Sequence, residues 1–452
     1  MNRHLALALV LTPFCAACHV QADPHVLYQS DNLTFTGGAV LELQAATRIQ
    51  NSKYQKKRIN GDNELVPPGT PGGVVERIGI TRNNQDIALL SIAGAYFGAK
   101  NKTASEITYG MHAGLFTNLQ AAYLPVQDDY GRTYGYIQKP TWGRVEIGNK
   151  RSVGKVLSVN ADKIAVATGG IDGVWSNYLH LNTYDPAQEY GVQDIYEENF
   201  LDGPKLLYKD NDRSANHEGN RKITYYTPRF SNGIHAGISY IPDSSNKGAD
   251  NVAHTQKFPN RDGPIRRLKN LIVAAFSWKH KIDEKQEVKV ALIGEIGKLT
   301  SSVNDTLANR RFYNHQKGYN VGMQYSYEKW DFVASYGNRG KWYKYQKQPG
   351  GVRDSQFYTA GVAYKFSDKL SSSFTYFYSF NRNSLNIYSL GVEYKVLPGI
   401  KTYAEVTYVQ AKQKYNYAPT SSRSPTNAPT VGSKTNFRNS GTVLVIGTKL
   451  AL

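Results

Sequence analysis

The chain has 452 residues, with 54 lysines and arginines against 36 aspartates and glutamates, a net charge of +18, and two cysteines. Both cysteines, Cys15 and Cys18, fall near the start, so the body of the chain excludes a disulfide scaffold and a cysteine-bound metal. The basic excess points to anionic solutes or an anionic surface. Nucleic acid is not expected as a partner, because the basic residues are scattered rather than gathered on one helix.

Arg3 and His4 form a basic head, Leu5 to Cys18 an apolar core, and Val20-Gln21-Ala22 a small-residue exit. This pattern predicts a cleaved signal peptide over residues 1–22. The apolar core is too short for a spanning helix, which needs roughly 20 apolar residues. A lipoprotein reading at Cys18, preceded by Ala16-Ala17, is the rival. No linker divides residues 23–452 cleanly, so one large architecture is preferred, and no later apolar run reaches spanning length, so the chain is either soluble or an all-β structure that crosses a membrane as strands. The mean hydropathy of −0.50 does not decide against a membrane, because a barrel with a wet interior and long loops averages out polar.

Period-two alternation predicts sixteen strands. The first five are Leu33–Ile49, Asp86–Gly98, Glu106–Asn118, Arg132–Gln138 and Trp142–Asn149. Asn220–Pro242 supplies the sixth and seventh, as the clearest hairpin of the chain. There Ile223 and Tyr225 alternate with Lys222, Thr224 and Tyr226, a Ser231-Asn232-Gly233 turn follows, and alternation resumes at Ile234. Next come Asn270–Lys281, Glu287–Lys298, Gly318–Glu328, Asp331–Asn338 and Gln356–Phe366. Leu370–Phe380, Leu385–Lys395, Lys401–Ala411 and Ser440–Leu452 complete the set. Short turns alternate with long connections, among them Gln50–Gln85, Lys150–Gly219 and Gln413–Asn439; Asn381–Ser384 is short where a long one is expected. Apolar faces such as Phe374, Tyr376, Tyr378 and Phe380 oppose small or polar ones, and tyrosines recur at strand ends. A transmembrane antiparallel β-barrel fits this better than its rival, a soluble sandwich.

Three segments resemble Gram-negative general porins. Arg132 to Gln138 followed by Trp142 to Lys150 resembles that family's strand pair before its constriction loop. Tyr225-Tyr226-Thr227-Pro228-Arg229-Phe230-Ser231-Asn232-Gly233 is similar to its Tyr-x-Ser-Pro-x-Phe-x-Gly hairpin, and Val445 to Leu452 matches its last strand in spacing. Leu452 stands where an aromatic is usual and Asn149 where an arginine is usual. The connection 150–219 is longer than that family's constriction loop, and Thr168 to Trp175 is similar to the long-loop porins of alphaproteobacteria. The resemblance implies a trimeric, water-filled outer-membrane channel for small hydrophilic solutes and ions. Membrane lipid, lipopolysaccharide and two further copies of the chain would be its partners.

The long loop carries Asp162, Asp172, Asp185, Glu189, Asp194, Glu197, Glu198 and Asp202 against one base, Lys163, between 160 and 202. It reads either as a solvated surface loop or, following the family, as a loop folded into the barrel whose carboxylates face wall bases and sort solutes by charge. Inward parity nominates Arg48, Arg132, Arg144 and Lys222 for that wall. The basic excess favours a mild anion preference. A substrate-specific channel for sugars or anions is the alternative, with Tyr134, Tyr136 and Tyr226 as track residues or as interfacial girdle. A third reading is an enzyme or an adhesin presenting Ala418–Ser433. No catalytic or cofactor motif supports the enzyme: Asp210 to Ser214 begins like a calcium loop but has Ala215 in place of glycine and Arg221 in place of glutamate. Neither a cofactor nor a metal is expected.

Overall fold

A computed structural model describes residues 25–30, 32–50, 56–64, 76–82, 87–118, 130–179, 183–185, 190–192, 201–207, 221–244, 266–301, 315–341, 354–381, 383–415 and 434–452. The signal-peptide segment, Glu189, Asp194, Glu197, Glu198 and Ala418–Ser433 lie outside these residues.

Sixteen antiparallel strands form a closed barrel. They are β1 Leu33–Gln50, β2 Ile87–Lys102, β3 Thr108–Asn118, β4 Tyr130–Lys139, β5 Gly143–Asn149, β6 Arg221–Tyr226, β7 Ile234–Asp243 and β8 Arg266–Lys281. The second half comprises β9 Gln286–Ser301, β10 His315–Tyr327, β11 Trp330–Asn338, β12 Gln356–Lys365, β13 Leu370–Asn381, β14 Asn383–Leu397, β15 Ile400–Tyr415 and β16 Lys434–Ala451. Each strand pairs with its sequence neighbour. Closure comes from β1 against β16, in register from Val40↔Ala451 to Gln50↔Gly441. Every predicted strand has its counterpart.

An additional strand, His25–Gln29, was not anticipated. It pairs with β1 from His25↔Gly37 to Gln29↔Thr34, where β16 no longer reaches, and so covers an edge that closure leaves open. Boundaries moved where alternation breaks. β8 begins at Arg266 rather than Asn270 because Asn270 has φ +51° and the register shifts between Lys269 and Ile272, which interrupts the pattern. At the one connection of the wrong length, Asn381 pairs directly with Asn383, so parity is kept by a very tight reversal.

Polar side chains point in and apolar ones out. On β6, Lys222, Thr224 and Tyr226 are buried while Ile223 is half exposed. On β13, Ser373, Thr375, Phe377 and Ser379 are buried and Phe374 is exposed; on β10, Gln316 and Asn320 are buried opposite exposed Tyr319, Val321 and Met323. A soluble sandwich would do the reverse, since exposing such aliphatic faces to water costs about 25 cal/mol per Å². The outer face is therefore a lipid face. Among the described residues no helix is long and apolar enough to cross a membrane; the strands do the crossing. In the turn between β6 and β7, Gly233 has φ +84°, and a Cβ there would stand 1.8 Å from the Lys279 carbonyl, so only glycine fits.

The loops hold structure of their own. Backbone strands Lys56–Glu64 and Glu76–Arg82 of the first long connection join Thr183–Asp185 and Tyr190–Val192 of the third in a four-stranded sheet. The link is parallel, at Gly191↔Lys57, and joins segments too far apart in sequence for a local pattern to show.

Candidate functional site

Residues 150–179 and 201–207 of the third long loop enter the barrel and lie along its inner wall. Its described parts include helix α1, Val153–Leu157, capped by Ser152, and helix α2, Trp175–Tyr178, with single 3-10 turns at Ala161–Lys163 and Gly170–Asp172 between them. The path follows β7 to β16 and returns to β1. The Val153 amide donates to Ser239 Oγ at 2.9 Å, that of Ala161 to Thr359 Oγ1 at 3.0 Å, and that of Val166 to Ser373 Oγ at 2.9 Å. The Glu405 carboxyl on β15 accepts from the amides of Thr168 and Gly170, both at 3.1 Å, and from the Thr168 hydroxyl at 2.5 Å. Lys449 donates to the Ala167 carbonyl, the Tyr178 hydroxyl to Gln44 Oε1 at 3.0 Å, and Ser379 Oγ to the Leu201 carbonyl at 2.5 Å. The approach is close: a Cβ on Gly322 of β10 would lie 1.8 Å from the Val159 carbonyl.

Between these polar anchors the inner wall beneath the loop is apolar. Leu271, Val273, Ala291, Phe357, Phe377, Leu385, Ile387, Val409 and Val443 point inward and are buried against loop residues Val153, Val159, Ala161, Ile171 and Trp175. These strands are thus apolar on both faces, the usual mark of a sheet covered on both sides.

The wall β2 to β6 is aromatic and basic. Tyr96, His112, Tyr134 and Tyr136 form a row of rings with successive centroid separations of 5.9, 5.4 and 6.4 Å. The Arg144 guanidinium lies 3.9 Å from the Tyr136 ring centroid, and Lys150 Nζ lies 4.6 Å from that of Tyr134. Glu146, buried, takes Arg144 Nε and Lys150 Nζ on the same oxygen, each at 2.5 Å. Lys150 lies just past β5. Burial, with Arg144 and Arg132 beside it outweighing part of what Glu146 restores, lowers its pKa to about 8. On β6 and β7, Tyr226 stacks on His235 at 5.8 Å.

The four nominated wall bases all lie on the inward face, in different roles. Arg132 and Arg144 stand in the aromatic wall; Lys222 is buried and donates to the Lys150 carbonyl, at the loop's departure. Arg48 donates to the Tyr178 carbonyl at 2.9 Å, at the end of α2. Asp162 and Asp172 face Lys155 of their own loop, at 3.4 and 3.1 Å. The backbone of Asp185 belongs to the loop sheet; Glu189 lies outside the described residues. Sequence reasoning missed Glu146, Lys155 and Glu405. Glu146 shares inward parity with Arg144, which was the available signal. Lys155 and Glu405 act through long-range contacts that no local pattern reports.

A family model described as Gram-negative porin matches residues 6–414. The chain belongs to the Gram-negative porin family. It is therefore a channel of the outer membrane for passive diffusion, not an enzyme, with its short turns toward the periplasm and its long loops outside. Among solved structures the chain is similar to the anion-selective porin from Comamonas acidovorans, with TM-score 0.51 and 11% identity over 93% of this chain and all of that one. Two similar relatives are uncharacterised proteins of Rickettsia bellii, 28% identical over 79% of this chain and 83% of the relative, and of Rickettsia prowazekii, with the same three values.

Proposed function

We propose that this porin is a mildly anion-preferring diffusion channel whose passage runs between the third loop and the wall β2–β6. One observation supports this above the others. The described loop acids Asp162 and Asp172 are matched to Lys155, with Lys163 4.0 Å from Asp162, so this stretch of loop is close to neutral. Among the described residues the facing wall sets Arg144 and Lys150 against Glu146, with Arg132 beside them. The field is then a net positive wall rather than a balanced pair of opposed charges. At 5 Å in water one unit charge is worth about 0.8 kcal/mol, and a Debye length of ~10 Å at 0.1 M salt trims this. One net charge, Arg144 and Lys150 less Glu146, then favours chloride over potassium by roughly two- to five-fold.

In this reading residues 1–22 are a signal peptide removed on export. The protein assembles as a homotrimer in contact with lipid and lipopolysaccharide, and the nominated residues Arg48 and Lys222 position the loop rather than meet solute. The reversal potential of bilayer-inserted protein in a tenfold potassium chloride gradient tests the preference. A shift toward the chloride potential is expected; a shift toward the potassium potential refutes it. Chemical cross-linking of detergent-extracted protein tests the trimer.

A further inference from the structure

The row of rings has more chemistry than a diffusion channel requires. Tyr136 lies over a glycine: a Cβ on Gly110, its cross-strand partner, would stand 2.8 Å from the Tyr136 hydroxyl. Tyr134 likewise has Gly148 opposite it. The Tyr136 ring leans across its glycine along the wall, and His112, directly opposite Tyr134, extends the row. Sheet bracing accounts for rings above glycines. It does not account for cations set upon the ring faces.

The cations keep binding capacity. Arg144 donates Nη1 to Gln138 at 3.0 Å and is ion-paired to Glu146 through Nε, while Nη2 has no acceptor among the described residues. Glu146 takes both cations on Oε1, and its buried Oε2 has no hydrogen-bond partner among the described residues. Guanidinium edge, ammonium, ring faces and one waiting carboxylate oxygen therefore converge on one patch. A carboxylate suits Arg144 and Lys150, a planar ring suits the tyrosine and imidazole faces, and a hydroxyl or N–H donor suits Glu146 Oε2.

Building on the anion-preferring reading, we propose that His112, Tyr134, Tyr136, Arg144, Glu146 and Lys150 form a binding subsite in the lumen for small aromatic carboxylates bearing a ring hydroxyl or N–H. Such solutes dwell there and cross by saturable steps, whereas small inorganic anions pass without dwelling. Five of the six residues sit on the strand wall, and Lys150 stands where the loop departs from it.

The test is ion-current block of wild-type channels in a planar bilayer, with 4-hydroxybenzoate as probe and cyclohexanecarboxylate and glucose as controls. 4-Hydroxybenzoate is expected to reduce chloride current saturably, cyclohexanecarboxylate to need about tenfold more, and glucose to have no effect. Tyr136→Leu should weaken the block about tenfold, read on channels that still carry chloride current. Tyr136→Phe, which keeps the ring face, should block like wild type and shows that the leucine result is not a folding defect. Equal potency of the aromatic and alicyclic carboxylates, or block unchanged in Tyr136→Leu, overturns the subsite. A reversal potential on the potassium side overturns the anion preference instead, so the two failures are told apart.

Discussion

Replacing Glu405 with alanine isolates the contact that holds the bend of the third loop. The Glu405 carboxyl is 1% exposed and serves three donors of the loop, the amides of Thr168 and Gly170 and the Thr168 hydroxyl, besides the Thr407 hydroxyl of its own strand. Alanine leaves all three without that acceptor. Each buried donor so orphaned costs about 1–3 kcal/mol, and the low end is appropriate beside a wet lumen, giving about 3 kcal/mol for local opening. At about 1.4 kcal/mol per tenfold, the open state of residues 168–173 becomes roughly a hundredfold more populated. Ser373 still holds the Val166 amide and Lys449 the Ala167 carbonyl, so opening stays local. Hydrogen exchange of the Thr168 and Gly170 amides, read by mass spectrometry, should accelerate by about that factor, with single-channel current noise rising in parallel. Glu405→Gln keeps an acceptor oxygen and should fall between the two. Heat-modifiable migration on a gel checks that the barrel itself is intact. Exchange at both amides within twofold of wild type in Glu405→Ala would show that the carboxyl is not what holds the bend.

Lys150 brings a pH dependence to the channel. Its pKa is lowered from the ordinary lysine value to about 8, so the wall carries this charge at pH 6.5 and has lost it by pH 9.5; chloride preference should decline with a midpoint near 8, and Lys150→Met should flatten that step. A midpoint above 10 in bilayer reversal potentials contradicts the burial argument. Leu292, 51% exposed on the outer face of β9, should tolerate isoleucine, while Leu292→Lys should cost about 2–4 kcal/mol in urea-induced unfolding from lipid vesicles if it lies near the bilayer midplane. Gly322→Val should displace the loop, because the new Cβ meets the Val159 carbonyl, and exchange of the Val159–Ala161 amides reports it.

The barrel was legible because lipid on one face and water on the other impose a period of two that survives without any alignment. Ile223 outside and Lys222 inside are separated by one peptide bond and by the whole membrane wall. Where that logic lapses, the reading lapsed too. Asn270 breaks the pattern with a left-handed backbone, so four residues of β8 were missed. Leu271, Val273, Leu385 and Ile387 are inward yet apolar, which by alternation alone looks like noise. They are inward and dry because the loop covers them. The acidic run was visible as composition, but which base each acid meets depends on a fold over distance, and Asp162 and Asp172 found Lys155 within the loop.

The covered half of the wall also explains how an irregular loop can lie inside a barrel at all. Such a segment brings backbone amides that no helix or strand satisfies, and each must find an acceptor. The wall supplies them one side chain at a time: Ser239, Thr359, Ser373 and Glu405 take amides from Val153, Ala161, Val166, Thr168 and Gly170, and Glu295 takes that of Leu207 at 2.8 Å. Inward Ser, Thr and Glu on β7 to β15 are therefore anchors, although alternation alone marks them as wetted pore lining. With those positions assigned to the loop, the described inward charges beside the aromatic row are the set on β4 and β5 and at Lys150. That set is small, net basic and interleaved with tyrosine rings, and it is there, not in the acidic loop, that substitutions should change what the channel passes.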